Sequence, residues 1–209
     1  MTQKIGFLGA GRMASAMISR LLEKGYQVRV WNRSADKVAP LAAKGAIACV
    51  TPADAATGVD AVISFMADDT AAETVWLSNS GAVSTMEPGT VAIECSTLSH
   101  GFVLELSAKI NANGCPYIDA PVTAIPAQVA AGETMFLIGA DNAVLDRVRP
   151  IMDAVANRII HFGPIGSGTV YKLMNNLLGA VHIAAAAELV AVAQKAGLDG
   201  NLVAEAFTN

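Results

Sequence analysis

Short apolar runs and one stretch of helical period follow each other between residues 4 and 33, which read KIGFLGAGRMASAMISRLLEKGYQVRVWNR. An apolar strand over 4–8 runs into Gly9 and Gly11. An amphipathic helix begins near Arg12, and a second apolar strand over 27–31 ends in Asn32-Arg33. One β-α-β unit of about thirty residues has the size of a dinucleotide-binding crossover. Gly9 permits the tight turn, Gly11 lets backbone approach a pyrophosphate, and the helix start aims N–H groups and a positive dipole end at phosphate. Ala14 stands at the third position of G-x-G-x-x-G, which the looser form of the pattern accepts. The cofactor set read from this turn is Gly9, Ala10, Gly11, Arg12 and Met13. An ordinary βα turn with incidental glycines is the competing reading.

The alternation continues to residue 161. A helix is expected over 34–44, closed by Gly45, with Pro40 awkward inside it. Apolar strands are expected over 46–50, 61–65 and 90–94, with helices over 71–77 and 101–111 between them. Strands over 117–119 and 134–138, a helix over 141–155 and an edge strand over 158–161 complete the series. Such alternation predicts an α/β fold, a Rossmann-type doubly wound, mostly parallel sheet covered on both faces, over residues 1–164.

Past Pro164 the pattern changes. Residues 165–169 are glycine-rich, and a helix then runs over 170–196 with Gly179 as its one breaker. Its length would allow a membrane span, but Asn175, Asn176, His182, Glu188 and Gln194 interrupt the apolar run. Burial in protein, partly against a second subunit, is the expectation, with His182 as a satisfied core histidine. Leu178, Ile183 and Leu189 are candidate contacts of a homodimer. Lys172 lies in the first turns of this helix, with Asn176 four residues on along the same face. The positive helix end and partial burial both favour loss of the lysine proton, as a general acid/base requires. The spacing fits a surface lysine equally well.

The nucleotide is read from the end of the second strand. NAD sites place an acid there for the ribose 2′-hydroxyl. This chain has Asn32, Arg33 and Ser34, with no carboxylate before Asp36. Arg33 can hold a 2′-phosphate through its guanidinium fork, which favours NADP (NADPH). Otherwise Arg33 is a solvated loop charge and Ser34 a helix cap. Apolar residues make up 53% of the 209 and charged residues 15%, with net charge −4, which argues against a nucleic-acid surface. Cys49, Cys95 and Cys115 lie far apart in apolar contexts, without metal-ligand spacing, and read as buried free thiols in a reducing compartment. The first strand starts almost at once, so a cytoplasmic protein without a signal peptide is expected.

Four ordered blocks along the whole chain resemble the β-hydroxyacid dehydrogenases, which include 3-hydroxyisobutyrate dehydrogenases and glyoxylate and semialdehyde reductases. GFLGAGRMASAM is similar to the family's cofactor motif. ECSTLSH (residues 94–100) resembles the segment whose threonine, here Thr97, lies near the nicotinamide. DAPVTA (119–124) resembles the substrate motif, and GSGTVYKLMNN (166–176) the catalytic block. The resemblance implies Lys172 and Asn176 as catalytic residues, Met66 and Ala67 along the cofactor, and Thr123 and Ala124 at the substrate. Thr123-Ala124-Ile125 replaces the family's Ser-Gly-Gly, whose open N–H groups hold a carboxylate, and Pro126 removes a donor. AIPAQ (124–128) resembles the related imine reductases, which typically lack the lysine. Family members also continue through a helical domain, and the resemblance implies that residues 165–209 are its beginning.

The resulting expectation is an NADP-dependent oxidoreductase that moves hydride between nicotinamide and a small β-hydroxy acid or its semialdehyde or keto acid. Imine reduction on the same scaffold and a non-catalytic NADP-binding fragment are the alternatives.

Overall fold

The computed structural model describes residues 3–208. Strand β1 (Lys4–Leu8) leads into helix α1 (Arg12–Glu23) and strand β2 (Gln27–Trp31). Next come α2 (Ala39–Ala42), β3 (Ile47–Ala48), α3 (Pro52–Ala56), β4 (Ala61–Ser64) and α4 (Asp69–Leu77). Strand β5 (Val91–Glu94), α5 (His100–Ala112), β6 (Tyr117–Asp119), β7 (Val122–Thr123), α6 (Pro126–Ala131) and β8 (Thr134–Gly139) follow. The chain continues through α7 (Asn142–Asp153), β9 (Ala156–Gly163), α8 (Ser167–Lys195) and α9 (Gly200–Thr208).

Strands β3, β2, β1, β4, β5 and β6 lie side by side in that order, all parallel. Strand order reverses between β1 and β4, and in such sheets ligands bind at that switch point, beyond the carboxyl ends of the strands. Strand β8 turns antiparallel to β6 and β7 and carries β9 parallel on its outer side. The Leu137 N–H donates to the Pro121 carbonyl across 2.9 Å, so β6 and β7 form one interrupted neighbour of β8.

Side-chain alternation sends Ile63, Ile93 and Ile118 into one core with Met17, Leu21 and Leu145. Val62, Ala92 and Tyr117 enter a second core with Trp76, Leu106 and Ile110. Helices therefore cover both faces, as the alternating pattern predicts.

Local differences have local causes. The helix expected over 34–44 splits into a 3-10 turn (Ala35–Lys37) and α2, because Pro40 is tolerated only in a first helical turn. The strand expected over 46–50 shrinks to two residues at the sheet edge. Helix α3 was not expected, yet its start is written in the chain. Thr51 accepts from the Asp54 N–H at 3.0 Å, Asp54 accepts from the Thr51 N–H at 2.9 Å, and Pro52 opens the helix. Cys49 is half-buried rather than buried, while Cys95 and Cys115 are buried, and all three are free thiols.

The chain divides into a compact unit through Lys172 and a second unit from Leu173 on. That division falls eight residues beyond the boundary expected at Pro164. In the second unit the end of α8 is joined to α9 by a turn in which the Leu198 N–H donates to the Ala193 carbonyl at 3.0 Å and Asp199 accepts from the Asn201 N–H at 2.8 Å. Within residues 173–195 of this chain, every residue except Asn175 and Ala193 is exposed. His182 is thus exposed, and this chain by itself does not bury it. Helix α8 is, among the described residues, the one helix long and apolar enough to cross a membrane.

Candidate active site

The turn after β1 is shaped for a close approach. Gly9 has φ +103°, and a Cβ there would meet the Phe65 carbonyl oxygen at 2.7 Å and Met66 Cε at 2.9 Å. Only glycine satisfies both demands. A Cβ on Gly11 would meet no heavy atom within 4 Å, so the space over the start of α1 is open. Gly11 is also the helix cap, offers no side-chain acceptor, and leads into a first turn without an acid. The leading N–H groups at Arg12 and Met13 are therefore available to an anion. These residues fit a pyrophosphate.

Asn32 braces this turn from β2. Its Oδ1 accepts from the Ala10 N–H at 2.9 Å, and its Nδ2 donates to the Ser34 carbonyl at 2.8 Å. The Asn32 amide is thus occupied by protein. Ser34 stands at the cap of the 3-10 turn without a side-chain cap bond, so the capping expected of its hydroxyl is not made. Arg12 and Arg33 are exposed, and neither side chain makes a hydrogen bond or ion pair among the described residues.

The ends of β4 and β5 bring Met66, Ala67 and Thr97 to the same edge of the sheet, with Ala67 and Thr97 exposed. A buried carboxylate organises this edge. Glu94 accepts from Trp76 Nε1 at 2.7 Å, from the Ser96 N–H at 2.9 Å, and from the Ser96 hydroxyl. The Ser96 oxygen in turn accepts from the Met66 N–H at 2.6 Å. Burial pushes the Glu94 carboxyl up, and its donors oppose that shift.

The start of α8 is held by a second buried carboxylate. Asp119 accepts from the Gly166 N–H at 2.7 Å and from the Thr169 N–H at 2.8 Å. It does for α8 what an N-cap side chain does, but from the end of β6. A Cβ on Gly168 would collide with the Leu137 carbonyl, so the helix start lies against β8. Lys172 follows Thr169 by three residues. It is half-buried, and burial lowers its pKa, the direction expected from its place. The neighbouring Tyr171 ring stacks on Phe162 of β9, with centroids 4.2 Å apart. Asn176 is exposed, four residues further along the helix and in the second unit.

Thr123 ends β7, half-buried, and Ala124 is half-buried against the first core. The segment that replaces the family's Ser-Gly-Gly runs straight into a helix. Pro126 opens α6, and Gln128 Oε1 accepts from the Ile125 N–H at 2.9 Å. That N–H is closed to a substrate. Glu94, Ser96 and Gln128 were not singled out from sequence, although each lies inside a recognised block. An acid at the end of an apolar strand and a Gln three residues past a helix start were the available signals.

Residues 4–163 match the family described as the NAD binding domain of 6-phosphogluconate dehydrogenase. Residues 166–209 match the one described as the NAD-binding of NADP-dependent 3-hydroxyisobutyrate dehydrogenase. NAD-dependent L-serine dehydrogenase of Pseudomonas aeruginosa is 35% identical, over 97% of this chain and 68% of its own length. Chloroplastic glyoxylate/succinic semialdehyde reductase 2 of Arabidopsis thaliana is 30% identical, over 98% of this chain and 57% of its own. The solved 3-hydroxyisobutyrate dehydrogenase of Mycobacterium tuberculosis with L-serine superposes with a TM-score of 0.89 at 30% identity, covering 95% of this chain and 67% of that one. The chain thus spans between 57% and 68% of the length of these three proteins. It belongs to the β-hydroxyacid dehydrogenase family of NAD(P)-dependent oxidoreductases.

Proposed function

We propose that this protein is an NADP-dependent dehydrogenase or reductase that interconverts a small β-hydroxy acid and the corresponding semialdehyde or keto acid, with Lys172 as the general acid/base. The observation that carries the proposal is a half-buried lysine, its pKa lowered by burial, on a helix start fixed by a buried aspartate. A bound nicotinamide dinucleotide supplies the hydride acceptor or donor. Gly9, Ala10, Gly11 and the N–H groups of Arg12 and Met13 would take its pyrophosphate, and Met66, Ala67 and Thr97 would flank its nicotinamide end. In reduction, Lys172 Nζ gives its proton to the substrate carbonyl oxygen; in oxidation, the neutral amine takes the hydroxyl proton. Asn176 orients that oxygen or the lysine, while Thr123 and Ala124 line the substrate's polar end.

The choice of NADP rests on Arg33, an unpaired guanidinium where an acid would select NAD. NADP in the description matched by residues 166–209 supports it. The P. aeruginosa relative is NAD-dependent by name, which makes Arg33 the residue to test. Retention of Lys172 favours carbonyl over imine reduction.

One set of measurements tests both assignments. The unmutated protein should bind NADPH in clear preference to NADH. Arg33→Ala should erode that preference by about 1–3 kcal/mol through the lost charge-assisted bond. Lys172→Ala should lower turnover of small semialdehydes by about 10²–10⁴-fold at nearly unchanged NADPH affinity. Lys172→Arg should rescue little. Equal affinities for the two nucleotides, or a lysine-free variant that keeps its activity, overturn the respective assignment.

A further inference from the structure

Strands β5 and β6 end in two acids that are partners in register, Glu94 beside Asp119. They are 1% and 0% exposed. Ala92 and Tyr117, two residues earlier on each strand, lie in the same core, so both carboxylates leave the sheet on that one face. Tyr117 lies close enough to both for their charges to add to the burial that pushes its hydroxyl well above the usual range. Two adjacent ionisable acids in a core are unfavourable unless each is well bonded. Packing alone has no need of them.

Each acid is well bonded, and to different machinery. The Glu94 hydrogen bonds run through Ser96 to the Met66 N–H, in the loop whose Met66 Cε and Phe65 carbonyl lie against Gly9. The Asp119 hydrogen bonds run to Gly166 and Thr169, in the turn that delivers Lys172. We propose that Glu94 and Asp119 are paired positioning residues, Glu94 setting the cofactor-side loop and Asp119 setting the turn that carries Lys172. The strand register then fixes the distance between the two halves of the site. This rests on the roles given above to Met66 and Lys172.

The test is a crossed comparison in the full chain. NADPH Kd is measured by its fluorescence, turnover with a panel of small semialdehydes, and amide hydrogen exchange over residues 166–172. Glu94→Gln and Ser96→Ala should weaken NADPH about tenfold while leaving exchange over 166–172 unchanged. Asp119→Asn should keep NADPH within about twofold, speed that exchange at least about tenfold and lower kcat far more than it changes KM. Should Asp119→Asn fail to fold, Asp119→Ser, which keeps a single oxygen acceptor in a smaller side chain, replaces it with the same outcomes expected. Equal losses of cofactor affinity and turnover in every variant would mean general loosening and overturn the pairing. Unchanged exchange and turnover in Asp119→Asn, with Lys172→Ala inactive, overturn this proposal alone. An unmutated protein without NADPH affinity, or a Lys172→Ala variant with full turnover, overturns the functional reading beneath it as well.

Discussion

The unit that ends at Lys172 and the short unit that follows it obey different rules. In the first, apolar side chains reach zero exposure, and buried acids such as Glu94 and Asp119 have two or more donors each. In the second, Leu177, Ile183, Leu202 and Phe207 are 64–74% exposed, and Ala193 is the one buried apolar residue among those described. Both stretches are rich in apolar residues, so composition does not distinguish them. What differs is whether the fold supplies cover for the apolar side chains. Core burial accordingly belongs to the first unit, and the second presents an apolar surface that asks for cover.

The largest expected effect sharpens that contrast. Leu21→Ala in α1 empties a fully buried position and should lower unfolding stability by about 2–5 kcal/mol. Ile183→Ala, at 74% exposure, should change it by no more than about 0.5 kcal/mol where the protein is monomeric. Urea unfolding of both variants measures the gap. Comparable losses would break the comparison, because they would show that residue 183 is buried after all.

An effect of intermediate size concerns the cover itself. A second copy of α8 is the simplest source, since closed two-fold dimers are the commonest assembly. Leu178, Ile183 and Leu189, all about half exposed or more, are the expected contacts. Sedimentation across a dilution series should show at least a homodimer, and Ile183→Glu should raise its dissociation constant about tenfold or more. A well-behaved monomer at micromolar concentration contradicts the expectation.

The same contrast explains what could be read from sequence. Strands β1, β4, β5 and β6 are buried on both faces and appear as apolar runs, β2 buries Val28 and Val30 on one face, and Gly9 and Gly11 sit in register with them; these were legible. So were the place of Lys172 and the direction of its pKa shift. Less legible were features that depend on one side chain reaching a distant backbone. Asp119 bonds to groups 47 and 50 residues away, and nothing local in DAPVTA announces a helix cap. Closure of the Ile125 N–H by Gln128 is local, and the Gln three residues past the helix start was its signal. His182 is exposed within this chain, because an apolar window implies burial only when something is there to bury it.

The smallest effect tests the boundary between the two regions, at Lys172 itself. Burial lowers its pKa in the folded protein, so the folded state holds the lysine proton less tightly than the unfolded chain does. At neutral pH the ammonium is charged in both states, and the folded state bears the desolvation. As pH rises through the lowered folded pKa, the folded state loses the proton first and unmutated stability climbs. The gain is complete near the ordinary lysine value, about 10.4, above which both states are neutral. Lys172→Met removes the charge while keeping an apolar stem of similar length. It should therefore raise the melting temperature at neutral pH by about 1 °C, a small amount because water screens the exposed half of the side chain. The advantage should shrink as pH rises and vanish above about 10.4. Melting curves of the two proteins between neutral and strongly alkaline pH decide it. A Met variant that is less stable at neutral pH, or a gap that widens with pH, would mean that the ammonium is stabilised in the fold and that Lys172 is an ordinary surface charge.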